Sequence, residues 1–288
     1  MQATLSRPAT AFPSETATVT AARHVRAWTL LVFFAALTLF TINLGRPTGE
    51  LDELYHVLAA RGWLEYGAPR ILDGAYERAR LYTVLVAQMF RLLGESFWAA
   101  RLPSAVAMAG ATALLFAWLY RTAGARAAWL GAGLFATSPF VVELAQFARF
   151  YALQVLAFLG ASLALRHALE VAATWPRRFV GGALAAALYP AALYLQETTL
   201  IGLLGVGLWV LLGPGFAWWR GQPARRRRLV LAGLGSAALA GTALLLLTPL
   251  GPVLWQRFRG VPAWAAGAAD QPLFYHTLLV LHYPSLWP

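Results

Sequence analysis

The chain has 288 residues, 59% of them hydrophobic and 12% charged, with a formal net charge of +11 and no cysteine. A soluble globular domain carries about 25% charged residues, so this balance excludes a water-soluble monomer. The lack of cysteine excludes a disulfide framework and any thiolate metal site.

Residues 1–24 are rich in Ala, Thr, Ser and Pro and poor in large apolar groups, so they read as a disordered cytoplasmic tail. Beyond them the apolar residues gather into blocks of about 16 to 23, near the ~20 residues that a helix needs to cross ~30 Å of hydrocarbon. Seven spans are expected, at 28–44, 98–120, 127–142, 150–165, 179–195, 198–213 and 229–250. The first follows Arg23 and Arg26 without a convincing small-x-small cleavage site before Arg46, so it reads as an uncleaved span. The expected fold is an all-α polytopic transmembrane bundle over residues 25–250, with amphipathic surface helices in its first outer loop.

Charge follows the same layout. With the N-terminal tail inside, the inner segments hold Arg7, Arg23, Arg26, Arg121, Arg126, Arg166, Arg177, Arg178, Arg220 and Arg225 to Arg228, against only Glu15 and Glu170. The other arginines balance the other acids on the outer side, so the whole excess of +11 lies inside, as the positive-inside rule requires. The expected partner of this positive charge is the membrane, and nucleic-acid binding is unnecessary.

Two outer stretches remain, 45–97 and 251–288. In the first, LDELYHVLAARGWLEY places Leu51, Leu54, Tyr55, Leu58 and Tyr66 on one helical stripe, with Asp52 and His56 on another face. Such a helix lies along a membrane surface rather than across it. A second surface helix is expected over about Arg80 to Leu93, stopped by Gly94. The 251–288 stretch is rich in Trp, Tyr, Phe and Pro and reads as an outer interfacial loop that ends without a closing span, as a truncated chain would.

The adjacent Asp52 and Glu53 carry the strongest chemical signal. A carboxylate there suits a general base, a metal or a hydrogen-bonded substrate; it equally suits a helix N-terminus, whose dipole favours negative charge. Arg78 and Arg80 suit bidentate contact with a donor phosphate, or plain attraction to lipid head groups. Arg149 and Tyr151 sit between two spans in QFARFYAL, near membrane depth, where a charge needs a partner or a polar cavity; Glu143 is one partner to weigh. Gln196-Glu197 repeats the theme at another outer junction. His56, His276 and His282 fit no compact metal motif.

The order of these features has a likeness. An outer DE after the first span, then GAPRILDGAYERARLYT, LLGESFWAARLPSAVAMAG and ARFYAL, resembles the N-terminal half of the C-type integral-membrane glycosyltransferases over about residues 26–215. The nearest likeness is to the protein O-mannosyltransferase (dolichyl-phosphate-mannose-protein mannosyltransferase-like) and aminoarabinose-transferase-like branch. The resemblance implies transfer of a sugar, with inversion, from a polyprenyl-phosphate sugar donor to a hydroxyl or phosphate of a lipid, glycan or protein acceptor outside the cell (inner) membrane. It makes Asp52 the general base and Glu53 a support for acceptor or base. It makes Arg78, Arg80 and Arg149 phosphate contacts and Tyr82 and Tyr151 cavity residues, with Tyr55, His56 and Glu197 completing the substrate-binding set. The 251–288 loop would cover the cavity. Neither the sugar nor any metal requirement follows. Relatives often carry a lysine near Arg78 to Arg80, where this chain has only arginine, and they continue for several more spans.

Two other functions fit a polytopic membrane protein. A transporter or flippase calls for ionisable residues in mid-span, and these spans are almost free of them. A non-catalytic subunit that keeps the fold is the other reading, and a truncated chain favours it.

Overall fold

In hydrocarbon a backbone N–H or C=O without an internal partner costs several kcal/mol, so the apolar blocks have little choice but to form helices. A computed structural model describes residues 15–46, 51–71, 74–223 and 225. In chain order these form α1 (Glu15–Thr41), α2 (Leu51–Tyr66), a hairpin of β1 (Arg70–Ile71) and β2 (Gly74–Ala75), α3 (Arg80–Leu93), α4 (Phe97–Ala123), α5 (Ala125–Thr137), α6 (Pro139–Ala145), α7 (Tyr151–Arg166), α8 (Trp175–Leu195), α9 (Thr199–Val210) and α10 (Phe216–Arg220). The chain divides into two compact units, Met1–Gly207 and Leu208–Pro288; in the second, the described residues are the end of α9, a π-helical turn at Leu211–Gly215, α10 and the few residues after it up to 225.

Five helices among the described residues are long and apolar enough to cross a membrane, and α5 with α6 makes a sixth if that pair is one span. Two expectations change. The third expected span, 127–142, is broken: α5 and α6 meet at a 65° bend. Ser138 takes an extended ψ of 124° because the ring of Pro139 bars it from the helical region, and Pro139 then opens α6. Residues 15–24, expected in the disordered tail, belong to α1, which starts after the last proline of the tail, Pro13. The seventh expected span, 229–250, and the 251–288 loop lie outside the described residues.

Helix α4 is the centre of the first unit and packs against α1, α3, α5, α6 and α7. Its buried positions are mostly alanine, which lets neighbouring backbones approach closely where no hydrophobic effect drives helices together. Ser96 caps its start by accepting from the Ala99 N–H at 3.2 Å, and Gly124 ends it at φ 88°. One apolar cluster joins α1, α4, α6 and α7 around Phe40, Leu44 and Met108. A second joins α2, α3, α4 and the start of α7 around Tyr82, Val86, Phe90 and Phe150.

The surface helices occur at the expected places, α3 with the bounds read from the sequence and Gly94 at its end. Helix α2 is turned inside out relative to a soluble helix. Its apolar stripe stays open, with Tyr55, Leu58 and Tyr66 exposed, as suits a helix on a membrane surface, while Glu53, His56, Ala59 and Ala60 are buried. The β-hairpin packs on α2 at Gly62, where a Cβ would lie 2.4 Å from the Arg70 carbonyl oxygen. Only glycine permits that approach.

Candidate functional site

Asp52 and Glu53 share the first turn of α2, yet a helix sets neighbours about 100° apart and their surroundings diverge. Glu53 is 1% exposed. Its Oε1 accepts from Arg101 Nε at 2.8 Å and its Oε2 from Arg101 Nη2 at 2.7 Å, a bidentate fork, while Oε1 also accepts the Ala148 N–H at 2.6 Å. Arg101, on α4, donates through Nη1 to the carbonyls of Leu44 and Arg46 at 2.8 and 2.9 Å. This buried pair therefore ties together the end of α1, α2, α4 and the turn before α7.

Asp52 faces outward, with its side chain 55% exposed, and pairs with Arg149, whose side chain is 4% exposed. Arg149 rides on the turn between α6 and α7, and that turn is held on both sides. Glu53 takes the Ala148 N–H, and Ser104 Oγ donates to the Arg149 carbonyl at 3.0 Å. Tyr82 shares a 2.8 Å hydrogen bond with Ser104 from beneath. The guanidinium carbon sits 5.3 Å from the ring centres of both Phe150 and Tyr151, within cation–π range. Arg149 Nε is buried and has no hydrogen-bond partner, so this side chain keeps unused donor capacity.

His56 lies behind this pair, fully buried, with Nδ1 3.0 Å from Thr83 Oγ1 and Nε2 3.4 Å from the Tyr76 hydroxyl. Burial first, then the positive charges of Arg149 and Arg78, pushes its pKa down to about 3, so the imidazole is neutral at physiological pH. Burial likewise pushes the Tyr76 hydroxyl above its ordinary pKa, against the opposing pull of Arg149 and Arg78. Tyr76 stacks on Tyr55 with ring centres 5.9 Å apart.

Arg78 and Arg80 flank Ala79, which adopts a left-handed φ of 46° and ψ of 48°. A non-glycine residue there carries backbone strain of order 1 kcal/mol or more, and the result is to send the two arginines to different places. Arg78 is exposed and lies over the Phe150 ring at 5.5 Å, beside the Asp52–Arg149 pair. Arg80 lies over Trp63 at 5.2 Å and reaches Glu77 at 3.9 Å.

The structure thus gathers Asp52, Tyr55, His56, Tyr76, Arg78, Arg149 and Tyr151, and it separates others expected with them. Glu53 is sealed beneath the cluster with both oxygens engaged and holds the Arg149 turn through the Ala148 N–H. Tyr82 is fully buried and does the same through Ser104. His56 has no open face for a substrate. Arg80 points to Trp63, and Glu197 stands exposed in the turn between α8 and α9. Arg101 and Tyr76 have structural places that the sequence reading did not assign. Arg101 had a signal, an arginine inside an apolar span, which by its burial cost demands a partner. Among the described residues no group of three His, Cys, Asp or Glu is placed to hold a metal; His276 and His282 lie outside them.

A bundle of apolar helices with two amphipathic helices packed on one end, and paired carboxylates and arginines at that end, makes an all-α fold of the integral-membrane type. The chain is similar to ArnT from Cupriavidus metallidurans, whose crystal structure in the apo state it matches with a TM-score of 0.56 at 19% identity, over 82% of this chain and 43% of that one. At that identity the likeness is one of fold, and this chain spans less than half the length of that protein. No protein-family profile matches the chain, and no curated protein matches its sequence.

Proposed function

We propose that this chain carries the catalytic end of a membrane glycosyltransferase that moves a sugar from a polyprenyl-phosphate donor to an acceptor hydroxyl on the outer side of the membrane. The observation that carries the reading is the Asp52–Arg149 pair, an open carboxylate and a buried guanidinium joined at one end of the bundle, with Arg78 beside it. The fold shared with ArnT, an aminoarabinose transferase, supports it.

The chemistry follows from what each group can do. The acceptor oxygen attacks the anomeric carbon from the face opposite the phosphate and forms the new glycosidic bond. The old carbon–oxygen bond breaks, and its electrons leave with the polyprenyl phosphate. Asp52 takes the acceptor proton. Arg149 and Arg78 offer guanidinium donors to the phosphate as its charge grows, where a preorganised cation acts most strongly. Before the donor arrives Asp52 is held by Arg149, so a phosphate that engages Arg149 competes with the carboxylate and frees it to act as base. The neutral His56 fixes Tyr76 without adding a third positive charge. A mannosyl or aminoarabinosyl donor would fit this scheme equally.

Asp52→Asn tests the proposal. It keeps an oxygen for Arg149 but accepts no proton, and glycosyl transfer from a polyprenyl-phosphate sugar is expected to fall by about 10²-fold or more. Unchanged transfer would remove Asp52 from the mechanism.

A further inference from the structure

A cavity of about 920 Å³ lies between α4, α7 and α8, away from the Asp52 cluster. It runs from Leu153 near the start of α7 to Arg166 at its end. At 1.5 Å per residue that is about 20 Å, close to the depth of one leaflet of a ~30 Å core plus its head-group edge. The walls are apolar along that length, floored by Leu114, Leu156, Ala157 and Leu188. Polarity appears at one end only, where Arg121 from α4, Arg166 and His167 from α7 and its continuation, and Arg177 from α8 line the mouth.

These cations are not used up by the chain. Arg166 pairs with Glu170 at 2.9 Å and lies 5.9 Å over the Trp118 ring, which holds its guanidinium at the mouth. Arg121 and Arg177 are exposed, and among the described residues neither has an ion-pair partner. The inner segments hold only Glu15 and Glu170 as acids, so this end of the bundle has positive charge to spare. The N-terminus of α8, a 21-residue helix, adds its positive dipole end at Trp175.

The geometry points to a binding site for one anionic phospholipid from the leaflet on the arginine-rich side, with an acyl chain in the groove and its phosphate against Arg121, Arg166 and Arg177. A phosphate-headed lipid matches the apolar length and the cationic mouth together. Basic pockets between transmembrane helices take anionic head groups for the same reason.

The test titrates the purified chain in neutral detergent with dioleoylphosphatidylglycerol and dioleoylphosphatidylcholine and reads bound lipid by native mass spectrometry. The anionic lipid is expected to bind about tenfold or more tighter than the zwitterionic one. The double variant Arg121→Gln/Arg177→Gln should lose about that factor for the anionic lipid and keep its weak binding of the other. Ala157→Phe, which fills the groove, should lose both. Equal binding of the two lipids by the parent chain overturns the proposal without any variant. Undiminished anionic binding in Ala157→Phe overturns it too, since it would mean head-group attraction without a groove.

Discussion

The two ion pairs at one end of the bundle have carboxylates adjacent in sequence and environments that differ in nearly everything. Glu53–Arg101 is closed to water, bidentate, and tied to three backbone groups. Asp52–Arg149 has one partner half in solvent and the other buried with an unused N–H. A buried pair with its hydrogen bonds satisfied organises structure and tolerates no loss. An open carboxylate on a sheltered guanidinium can exchange its partner for another anion. Adjacent carboxylates on one helix thus divide into a closed clamp and an open group, which the proposed function makes the reactive one, and the helix turn between them makes the division.

The comparison breaks most visibly at the clamp. Glu53→Gln leaves Arg101 as a buried, uncompensated cation, and the expected loss is about 3–5 kcal/mol of stability, read from denaturant unfolding in detergent. Asp52→Asn, which keeps an acceptor for Arg149 and faces water, is expected to cost about 1–2 kcal/mol in the same measurement.

The arginines sharpen the contrast on the donor side. Arg78 borders the open pair and Arg80 does not. Arg78→Lys keeps the charge but loses the guanidinium fork, so donor affinity should weaken by about 1–3 kcal/mol in a neutral-lipid environment. Arg80→Lys should leave it unchanged. Equal effects of the two would mean that both are interfacial anchors.

The hairpin that carries Tyr76 to the cluster depends on Gly62. Gly62→Ala drives a methyl group against the Arg70 carbonyl, and overpacking of this kind costs about 1–3 kcal/mol. Its signature is a lower unfolding midpoint together with faster hydrogen exchange in the hairpin around Tyr76.

Much of this arrangement was legible in the sequence, and its failures share a cause. The spans that became α4, α7 and α8, and the limits of α3, follow from local hydropathy and from Gly94. The bend at Ser138-Pro139 was signalled by the proline, but a run of apolar residues through it reads as one span. Which carboxylate meets which arginine was beyond local reading. Glu53 and Arg101 are 48 residues apart and Asp52 and Arg149 are 97 apart, and only the packing of α2 on α4 and the 146–150 turn brings them together. The stripe of α2 was read correctly as apolar. Its opposite face, with Glu53 and His56, is the one packed against the protein, as a helix between membrane surface and bundle can allow.

A further expected effect is on pH. The folded pKa of His56 is depressed to about 3 from an ordinary 6.5. Above pH 6.5 the ring is neutral whether folded or unfolded, so it adds nothing there. Below it the unfolded chain binds a proton that the folded chain refuses, and stability falls progressively as pH drops toward 3. In His56→Gln that acid slope between pH 6.5 and 3 should flatten, although other carboxylates will still contribute below about pH 4.

The division between clamp and reactive pair is tested most directly by the rate of glycosyl transfer per folded molecule in Asp52→Asn, assayed with a polyprenyl-phosphate sugar donor at a protein concentration corrected for unfolded chain. The expected result is a loss of about 10²-fold or more in rate in a population that remains folded. A folded Asp52→Asn variant that transfers sugar at the parent rate would contradict the account, and so would one that unfolds as Glu53→Gln does.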